Sequence, residues 1–304
     1  MIHIGTCSWT ERTLIKSGEF YPKGLSTAED RLKYYASKCD TVEIDSTYYA
    51  IPDKRSTYLW ADRTPDDFIF HVKVYGALTG HGIDPNTLPK DILNLLSHEN
   101  KTKQHIYVKE SFLLKVMAER FTEVLTPMIK THKLGVLVFQ FPPWFQYKTV
   151  NLDYILTCKE LMQGLPIAVE FRHGSWLEPD RLESVLHFLR EHQLTYIIAD
   201  EPQYGNLATI PFLPDITTDI AYFRFHGRNK EHWLEKRIDT SLRFAYLYSD
   251  DELREFIPSI KNVGKRAKVT YAMFNNCHGG FAMKDALRLK EILASKEMAD
   301  VKET

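Results

Sequence analysis

The sequence predicts an α/β protein of the (β/α)8 TIM barrel class. Short runs rich in β-branched and aromatic residues occur eight times, and helical patterns separate most of them. The rival architecture, a doubly wound open sheet, should carry a glycine-rich G-x-G-x-x-G turn after its first strand. The first run is instead followed by Cys7-Ser8-Trp9-Thr10. A length of 304 residues fits one barrel domain spanning residues 1–304.

Each predicted strand is a short apolar run with β-branched or aromatic residues and turn residues at its ends. In chain order the eight runs are Ile2–Thr6, Thr41–Asp45, Phe68–Val74, Leu134–Phe141, Ile167–Arg172, Thr195–Asp200, Ile220–Gly227 and Lys268–Asn276.

Seven helices are predicted between these strands from apolar residues at helical spacing. Ser26 and Asp53 are suitable N-caps for the first two, and Pro179-Asp180 suits the start of the fifth. The segment 202–219 carries no helical pattern. The predicted helices are Thr27–Lys38, Lys54–Asp62, Phe112–Thr131, Leu152–Met162, Arg181–His192, Asp251–Val263 and Met283–Leu293.

Two connections are longer than the usual loop between a strand and the next helix. They run from Tyr75 to Ser111 after the third strand and from Arg228 to Asp250 after the seventh. In a barrel both would rise over the carboxyl ends of the strands, where active sites lie. We expect them to form walls or lids of a site; the alternative is that they are neutral insertions.

Composition narrows the class of protein. The 39 Lys and Arg against 40 Asp and Glu give a net charge of −1, which argues against a protein that coats nucleic acid through bulk charge. The four cysteines are far apart and form no C-x-x-C pair, so we expect a reducing, cytoplasmic setting. The chain opens on a strand-like run without a signal-peptide pattern, and no apolar stretch is long enough for a membrane span.

Several strands carry charged or amide side chains at the alternate positions that should face the barrel interior. An unpaired buried charge costs several kcal/mol, so these groups must pair with each other, meet water or bind a ligand. A self-contained ion-pair network is the purely structural alternative. The inward positions are Glu43, Asp45, His71, Lys73, Gln140, Glu170, Arg172, Arg224 and His226.

The same positions, with the residues just after each strand, predict a site. Arginine forks favour carboxylate or phosphate groups, so we expect a small anionic ligand. Aromatic side chains would stack on a ring of that ligand. The predicted catalytic residues are Glu43, Glu170, Lys73 and His226. The predicted substrate-binding residues are Arg172, Arg224, Arg228, Tyr48, Tyr49, Gln140, Trp176 and Asn275.

No metal or other cofactor is predicted, because arginines would crowd a multi-metal cluster. One divalent metal bound by Glu43, Glu170, His226 and His81 is the alternative. A second alternative makes Lys73 a Schiff-base nucleophile, since a lysine inside a barrel beside a carboxylate can have a lowered pKa. A simple ion-paired lysine is the plainer interpretation of the same residue.

The chain resembles a known family in several motifs that span nearly its whole length. They are Gly5-Thr6-Cys7-Ser8-Trp9, Phe20-Tyr21-Pro22, Thr41–Tyr49 with Pro52, Phe68–Lys73, Phe139-Gln140-Phe141-Pro142-Pro143, Glu170–Trp176, Arg224–Arg228 and Phe274-Asn275-Asn276. In combination they are similar to the YecE-like family, also called domain of unknown function number 72. The resemblance implies a TIM barrel and no established activity. This chain departs from the family where Cys7-Ser8-Trp9 replaces Ser-Gly-Trp and where Asp45 replaces Asn.

Three functions remain open. The first is an enzyme, in the hydrolase, lyase or isomerase classes, that acts on an anionic sugar or nucleotide by carboxylate acid–base chemistry. The second is a nucleic-acid binding or processing protein, similar in fold to endonuclease-IV-like barrels, with Lys101–Lys109 and Arg228–Arg243 as basic contacts. The third is a non-catalytic ligand-binding protein. The oligomeric state is left undetermined.

Overall fold

The structure, a computed structural model, describes residues 1–300 and the side chains of residues 1–295. Strands and helices alternate along the chain, and the strand order in the sheet is β1-β8-β7-β6-β5-β4-β3-β2. This topology confirms the predicted (β/α)8 class. The strands are β1 Ile2–Thr6, β2 Thr41–Ile44, β3 Ile69–Lys73, β4 Leu134–Gln140, β5 Ile167–Glu170, β6 Thr195–Asp200, β7 Ile220–Phe225 and β8 Val269–Phe274.

All seven predicted helices are present, and short helices are added to them. The predicted helix Phe112–Thr131 is two helices, α6 and α7, because Leu125 and Pro127 interrupt it. The helices are α1 Arg12–Ser17, α2 Ala28–Ala36, α3 Lys54–Asp62, α4 Lys90–Leu95, α5 His98–Thr102, α6 Ser111–Val124, α7 Thr126–Lys130, α8 Thr149–Leu161, α9 Leu182–Glu191, α10 Thr240–Arg243, α11 Asp250–Gly264 and α12 Phe281–Asp300.

Helix starts follow side-chain capping. Asp53 accepts a hydrogen bond from the Ser56 backbone N–H, which confirms the predicted cap of α3. The predicted cap Ser26 is wrong: Thr27 accepts from the Asp30 N–H and has the extended backbone that a cap requires. The fifth predicted helix begins at Leu182, two residues after Pro179-Asp180.

Contacts between residues divide the chain into two compact units. The terminal unit comprises Met1–Glu43 and the chain from Thr195 onward, and the central unit comprises Ile44–Leu194. The prediction of one domain over residues 1–304 stays a prediction.

In the terminal unit β6, β7, β8 and β1 pair in parallel. The Phe223 and Phe225 side chains lie on the helix side of β7, where Phe225 packs on Phe256 of α11 with ring centroids 4.6 Å apart. Gly5 in β1 is required by close approach, since a Cβ there would lie 2.3 Å from the Thr41 carbonyl oxygen. The backbones of β1 and β2 are therefore closely packed at Gly5.

In the central unit β3, β4 and β5 pair in parallel, and Gln140 of β4 lies opposite Glu170 of β5. Buried Phe68, Phe70, Val72 and Val74 occupy one set of alternate positions along the third strand run. His71 and Lys73 occupy the other set, as predicted.

Both predicted long connections are present. The one after β3 contains two 3-10 turns, Gly76–Thr79 and Pro85–Thr87, with α4 and α5. The one after β7 contains α10. The segment from Glu201 to Asp219 contains no helix, as expected. Among the residues described, no helix has the length and apolar character to span a bilayer.

Candidate functional site

Lys73 stands at the carboxyl end of β3 in the central unit. Its Nζ lies 3.5 Å from the Asp45 carboxylate and 4.8 Å from the centre of the Tyr48 ring. The lysine is thus held by a single loose ion pair and by the face of an aromatic ring. Its side chain keeps some exposure to solvent.

His81 follows in the connection after β3, beyond the 3-10 turn and the left-handed Gly80. Its ring lies edge-to-face against Tyr48, with centroids 5.1 Å apart, and against Trp144 at 5.7 Å. Burial, followed by the charges of Lys73 and Arg172, lowers the pKa of His81 to about 4. The imidazole is therefore neutral at pH 7.

Arg172 follows β5 and pairs with Glu170 at its end. Arg172 Nη1 donates to Glu170 Oε1 at 3.1 Å, and the Glu170 side chain is fully buried while Arg172 is partly exposed. The pair places a guanidinium at the carboxyl end of the central-unit strands, backed by a buried carboxylate.

Two aromatic residues predicted to contact the ligand, Trp176 and Tyr49, differ in their exposure to solvent. Trp176 is 0 % exposed and lies stacked between Phe171 and Phe145, and its role in stacking on a ligand ring stays a prediction. Its Nε1 donates to the Phe145 carbonyl, because the 3-10 turn Gly174–Trp176 turns the indole back into the core. Tyr49 is exposed and lies edge-to-face against Tyr48, with centroids 5.0 Å apart.

In the terminal unit Glu43 and Arg224 form a fully buried ion pair. Arg224 donates from Nε at 3.0 Å and from Nη2 at 2.6 Å, one bond to each carboxylate oxygen. The Tyr222 hydroxyl adds a third bond at 2.9 Å. Burial, followed by the Glu43 charge, raises the pKa of Tyr222 well above its usual range. The tyrosine therefore stays a hydrogen-bond donor to the carboxylate.

His226 and Asn275 meet at the ends of β7 and β8. Asn275 Nδ2 donates to His226 Nδ1 at 2.8 Å, and both side chains are buried. The His226 ring lies near Trp233 and Phe244, with centroids 6.0 and 6.1 Å away, both in the long connection after β7. This connection therefore covers the histidine with aromatic rings.

Arg228, predicted to bind substrate, is bound by carboxylates of the protein. Its Nε lies 3.1 Å from both oxygens of Asp200, and its Nη1 lies 3.4 Å from Glu252 and 3.3 Å from Glu255. Burial raises the pKa of Asp200, and the hydrogen bonds and charge of Arg228 oppose that rise. The arginine thus has the negative partners that it needs within its own unit.

The predicted residues therefore contact one another in several small sets, each within one unit. Convergence of all of them in one pocket stays a prediction, as do the roles of Gln140 and of the catalytic set. Within the described part of the chain, no three His, Cys, Asp or Glu side chains are grouped as ligands for one metal ion. In the central unit Lys73 contacts Asp45 and Tyr48, Tyr48 contacts Tyr49, and Glu170 pairs with Arg172. In the terminal unit Glu43 pairs with Arg224, His226 with Asn275, and Arg228 with Asp200.

Sequence reasoning did not assign a site role to Trp144 and used His81 only as a metal ligand. Both lie in loops, where no alternation of apolar and polar residues indicates which side chain faces inward. One signal was available for the histidine: it stands between Gly80 and Gly82, close after a strand with an inward lysine.

The fold and these clusters define a (β/α)8 barrel protein with buried ion pairs at the strand ends. A family model described as "Protein of unknown function DUF72" matches residues 3–304, so the chain belongs to the DUF72 family. The resemblance stated from the sequence is thereby confirmed as to family.

Relatives extend this result over the whole chain. The UPF0759 protein YunF of Bacillus subtilis (strain 168) is 31 % identical over 296 residues, which are 96 % of this chain and 95 % of the relative. A crystal structure of a DUF72 family protein from Enterococcus faecalis V583 matches with a TM-score of 0.78 and 29 % identity, over 97 % of this chain and 96 % of that one. Another, from Thermotoga maritima MSB8, matches with a TM-score of 0.76 and 32 % identity, over 97 % and 99 %.

Proposed function

We propose that this protein is an enzyme that acts on a small anionic ligand, a phosphate- or carboxylate-bearing sugar or nucleotide, bound at the carboxyl ends of β3 and β5. Lys73 and Arg172 hold the anion, and Tyr48 and Trp144 contact its ring. The reaction classes that suit these groups are hydrolysis, elimination and isomerisation by proton transfer.

One observation carries the proposal: His81 lies against two aromatic rings and within the electrostatic influence of two cations. After burial, the forces that lower its pKa are both positive charges, those of Lys73 and Arg172. The charges of both cations act on the imidazole, so an anion placed beside it is stabilised by them.

The proposed cellular location of the protein is the cytoplasm. Its support is that Cys7, Cys39, Cys158 and Cys277 are all free thiols. Free thiols persist where glutathione and thioredoxin keep the compartment reducing.

The test is binding of inorganic phosphate, measured by calorimetry, followed by turnover of a panel of phosphorylated sugars and nucleotides. Lys73→Met is expected to weaken phosphate at least about tenfold, the equivalent of 1.4 kcal/mol. The control is Lys54→Met, an exposed lysine in the same unit paired only loosely with Glu123. Phosphate affinity that is equal in both variants, or no panel member turned over, would reject the proposal.

A second candidate function is binding of single-stranded nucleic acid. Three exposed rings surround the Tyr48–His81 contact: Tyr49, Trp144 and Tyr107, which lies against the backbone of Gly82. Exposed rings beside cations are the usual platform for stacked bases. Salt-dependent retention of the protein on single-stranded DNA, lost with Trp144→Ala, would select this function over the first.

A further inference from the structure

A short hydrogen-bond chain orients His81. Thr79 Oγ1 lies 3.1 Å from the Gly76 carbonyl oxygen and 2.9 Å from His81 Nδ1. The Gly76 carbonyl also accepts the His81 backbone N–H at 3.0 Å, so the hydroxyl proton of Thr79 can go either to this carbonyl or to Nδ1. With the proton on the Gly76 side, the hydroxyl oxygen accepts from the Nδ1–H of His81.

This form of the chain places the imidazole proton on one particular nitrogen. A neutral imidazole has one N–H, and here it is at Nδ1. The other nitrogen, Nε2, therefore carries a lone pair. Thr79 is itself buried in the 3-10 turn, so the chain is held by the fold and not by a flexible surface group.

The two carboxylates beside the proposed anion site, Glu170 and Asp45, each lie close to a cation. Glu170 is bonded to Arg172, and Asp45 lies 3.5 Å from Lys73. An oxygen engaged by a cation offers its electrons to a proton less readily. His81 instead has a hydroxyl at one nitrogen and aromatic ring edges beside it.

We propose that His81 is the proton acceptor of this site: Nε2 takes a hydroxyl proton from the bound phosphate- or carboxylate-bearing ligand. The inference rests on the proposed function for the identity of that ligand. An N–H bond forms as the O–H bond breaks, and its electron pair remains on the ligand oxygen, where Lys73 and Arg172 stabilise the negative charge. The proton then returns from the imidazolium to the product.

Anion binding and proton uptake are coupled in this arrangement. In the free protein burial, together with the charges of the two cations, keeps the imidazole neutral, and a bound anion offsets the charge of the cations. The basicity of His81 therefore rises when the ligand is present. Thr79 is a positioning residue, since it acts only by fixing which nitrogen is free.

The experiment is nitrogen NMR of the histidine rings in the full-length labelled protein, with His81→Asn used to assign the His81 signals among the 12 histidines. The expected result at pH 7 and pH 5.5 is a protonated Nδ1 and an unprotonated Nε2. His187, whose side chain is largely exposed, is the internal control. The opposite tautomer, or an imidazolium at pH 5.5, would overturn the inference.

Variants of Thr79 test whether its hydroxyl fixes the tautomer of His81 or whether its side chain only packs against the ring. Thr79→Ser keeps the hydroxyl and is expected to keep the Nδ1–H form, whereas Thr79→Val is expected to give a mixture of both tautomers. A single Nδ1–H form in Thr79→Val would remove the hydroxyl from the argument and overturn the assigned role of Thr79.

Inorganic phosphate distinguishes failure of this inference from failure of the proposed function. Phosphate is expected to raise the titration midpoint of His81 by about one pH unit. If phosphate does not bind, the anionic-ligand function fails while the tautomer result stands. If phosphate binds and the midpoint does not move, the function stands and His81 is not the proton acceptor. For a panel ligand that is turned over, His81→Asn should lower kcat by about 10²–10⁴-fold with little change in phosphate affinity.

Discussion

Arg224 and Glu43 form a doubly hydrogen-bonded ion pair in which both side chains are 0 % exposed. The Tyr222 hydroxyl donates to the same carboxylate. Two full charges removed from water are tolerated only with such complete bonding, because desolvation of each costs several kcal/mol. Glu43 is therefore a partner that fixes Arg224, whatever else either residue contacts.

Removing the Arg224 guanidinium should destabilise the protein strongly. Arg224→Met leaves Glu43 buried without its main counter-charge, and the free energy of unfolding is expected to fall by about 3–5 kcal/mol. Denaturant unfolding measures this. Lys33→Met is the control, because its exposed pair with Glu29 contributes about 0.5 kcal/mol or less. Equal losses in the two variants would contradict the assigned pairing.

Arg172→Ala should affect both stability and ligand binding. Truncation strands the buried Glu170, so the melting temperature should fall by several degrees, at roughly 2–4 °C for each kcal/mol lost. It should also reduce the rise in melting temperature that phosphate produces.

The matched control for Arg172 is Arg181→Ala, which removes an arginine paired with the partly exposed Glu178 and Asp180. It should change the melting temperature little and the phosphate response not at all. An unchanged phosphate response in Arg172→Ala, with a large drop in the ligand-free melt, would assign Arg172 to Glu170 alone.

Asp285 should make stability depend on pH. Burial raises its pKa to about 7, although hydrogen bonds from Asn276 and Tyr248 oppose the rise. The folded state thus binds a proton that the unfolded state releases between about pH 4 and pH 7, so stability falls as pH rises through that window. The loss amounts to as much as about 4 kcal/mol by pH 8.

Asp285→Asn removes this titration and keeps an oxygen that accepts hydrogen bonds. Denaturant unfolding at pH 5 and pH 8 should show a smaller difference in the variant than in the unchanged protein. Glu231→Gln, at an exposed acid of the same unit, should leave the difference intact. A pH dependence that survives Asp285→Asn would refute the assignment.

The fold was predictable because its signals are local and repeated. Six of the eight strands match their predicted bounds or differ from them by one or two residues at one end only, since β-branched runs end at turn residues. The cap of α2 was assigned one residue early, to Ser26, because Ser and Thr suit a cap equally. Only the backbone angles of Thr27 decide between them.

The site was predictable only where strand alternation applies. Alternation correctly gave Glu43 and Arg224 buried positions, yet it does not say which charge meets which. His81 and Trp144 lie in loops, so their contact could not be read from any period. Trp176 follows β5 in a 3-10 turn, so strand alternation does not predict where its indole lies.

Lys133 should stabilise the folded state through the hydrogen bonds that its ammonium group donates. The side chain is buried, and its Nζ donates to the Ala61 and Thr64 carbonyls, at the C-terminal end of α3. Lys133→Met leaves these acceptors without their donor, at a cost of about 1–3 kcal/mol. Lys130→Met, at an exposed position of α7, is the control and should be near neutral in the same unfolding measurement.

Two tryptophans should separate packing from ligand contact. Trp176→Ala removes an indole that is stacked between Phe171 and Phe145, and its cost should be about 3–5 kcal/mol. Trp144 is 58 % exposed, so Trp144→Ala should leave the melting temperature nearly unchanged. It should nevertheless weaken a nucleoside monophosphate by about 1–3 kcal/mol, the value of one stacked base. Inorganic phosphate has no ring, and its affinity for Trp144→Ala should equal that for the unchanged protein. Calorimetry measures the binding of both ligands to Trp144→Ala. If phosphate and nucleotide binding are weakened equally, Trp144 shapes the anion site and does not stack on a ring.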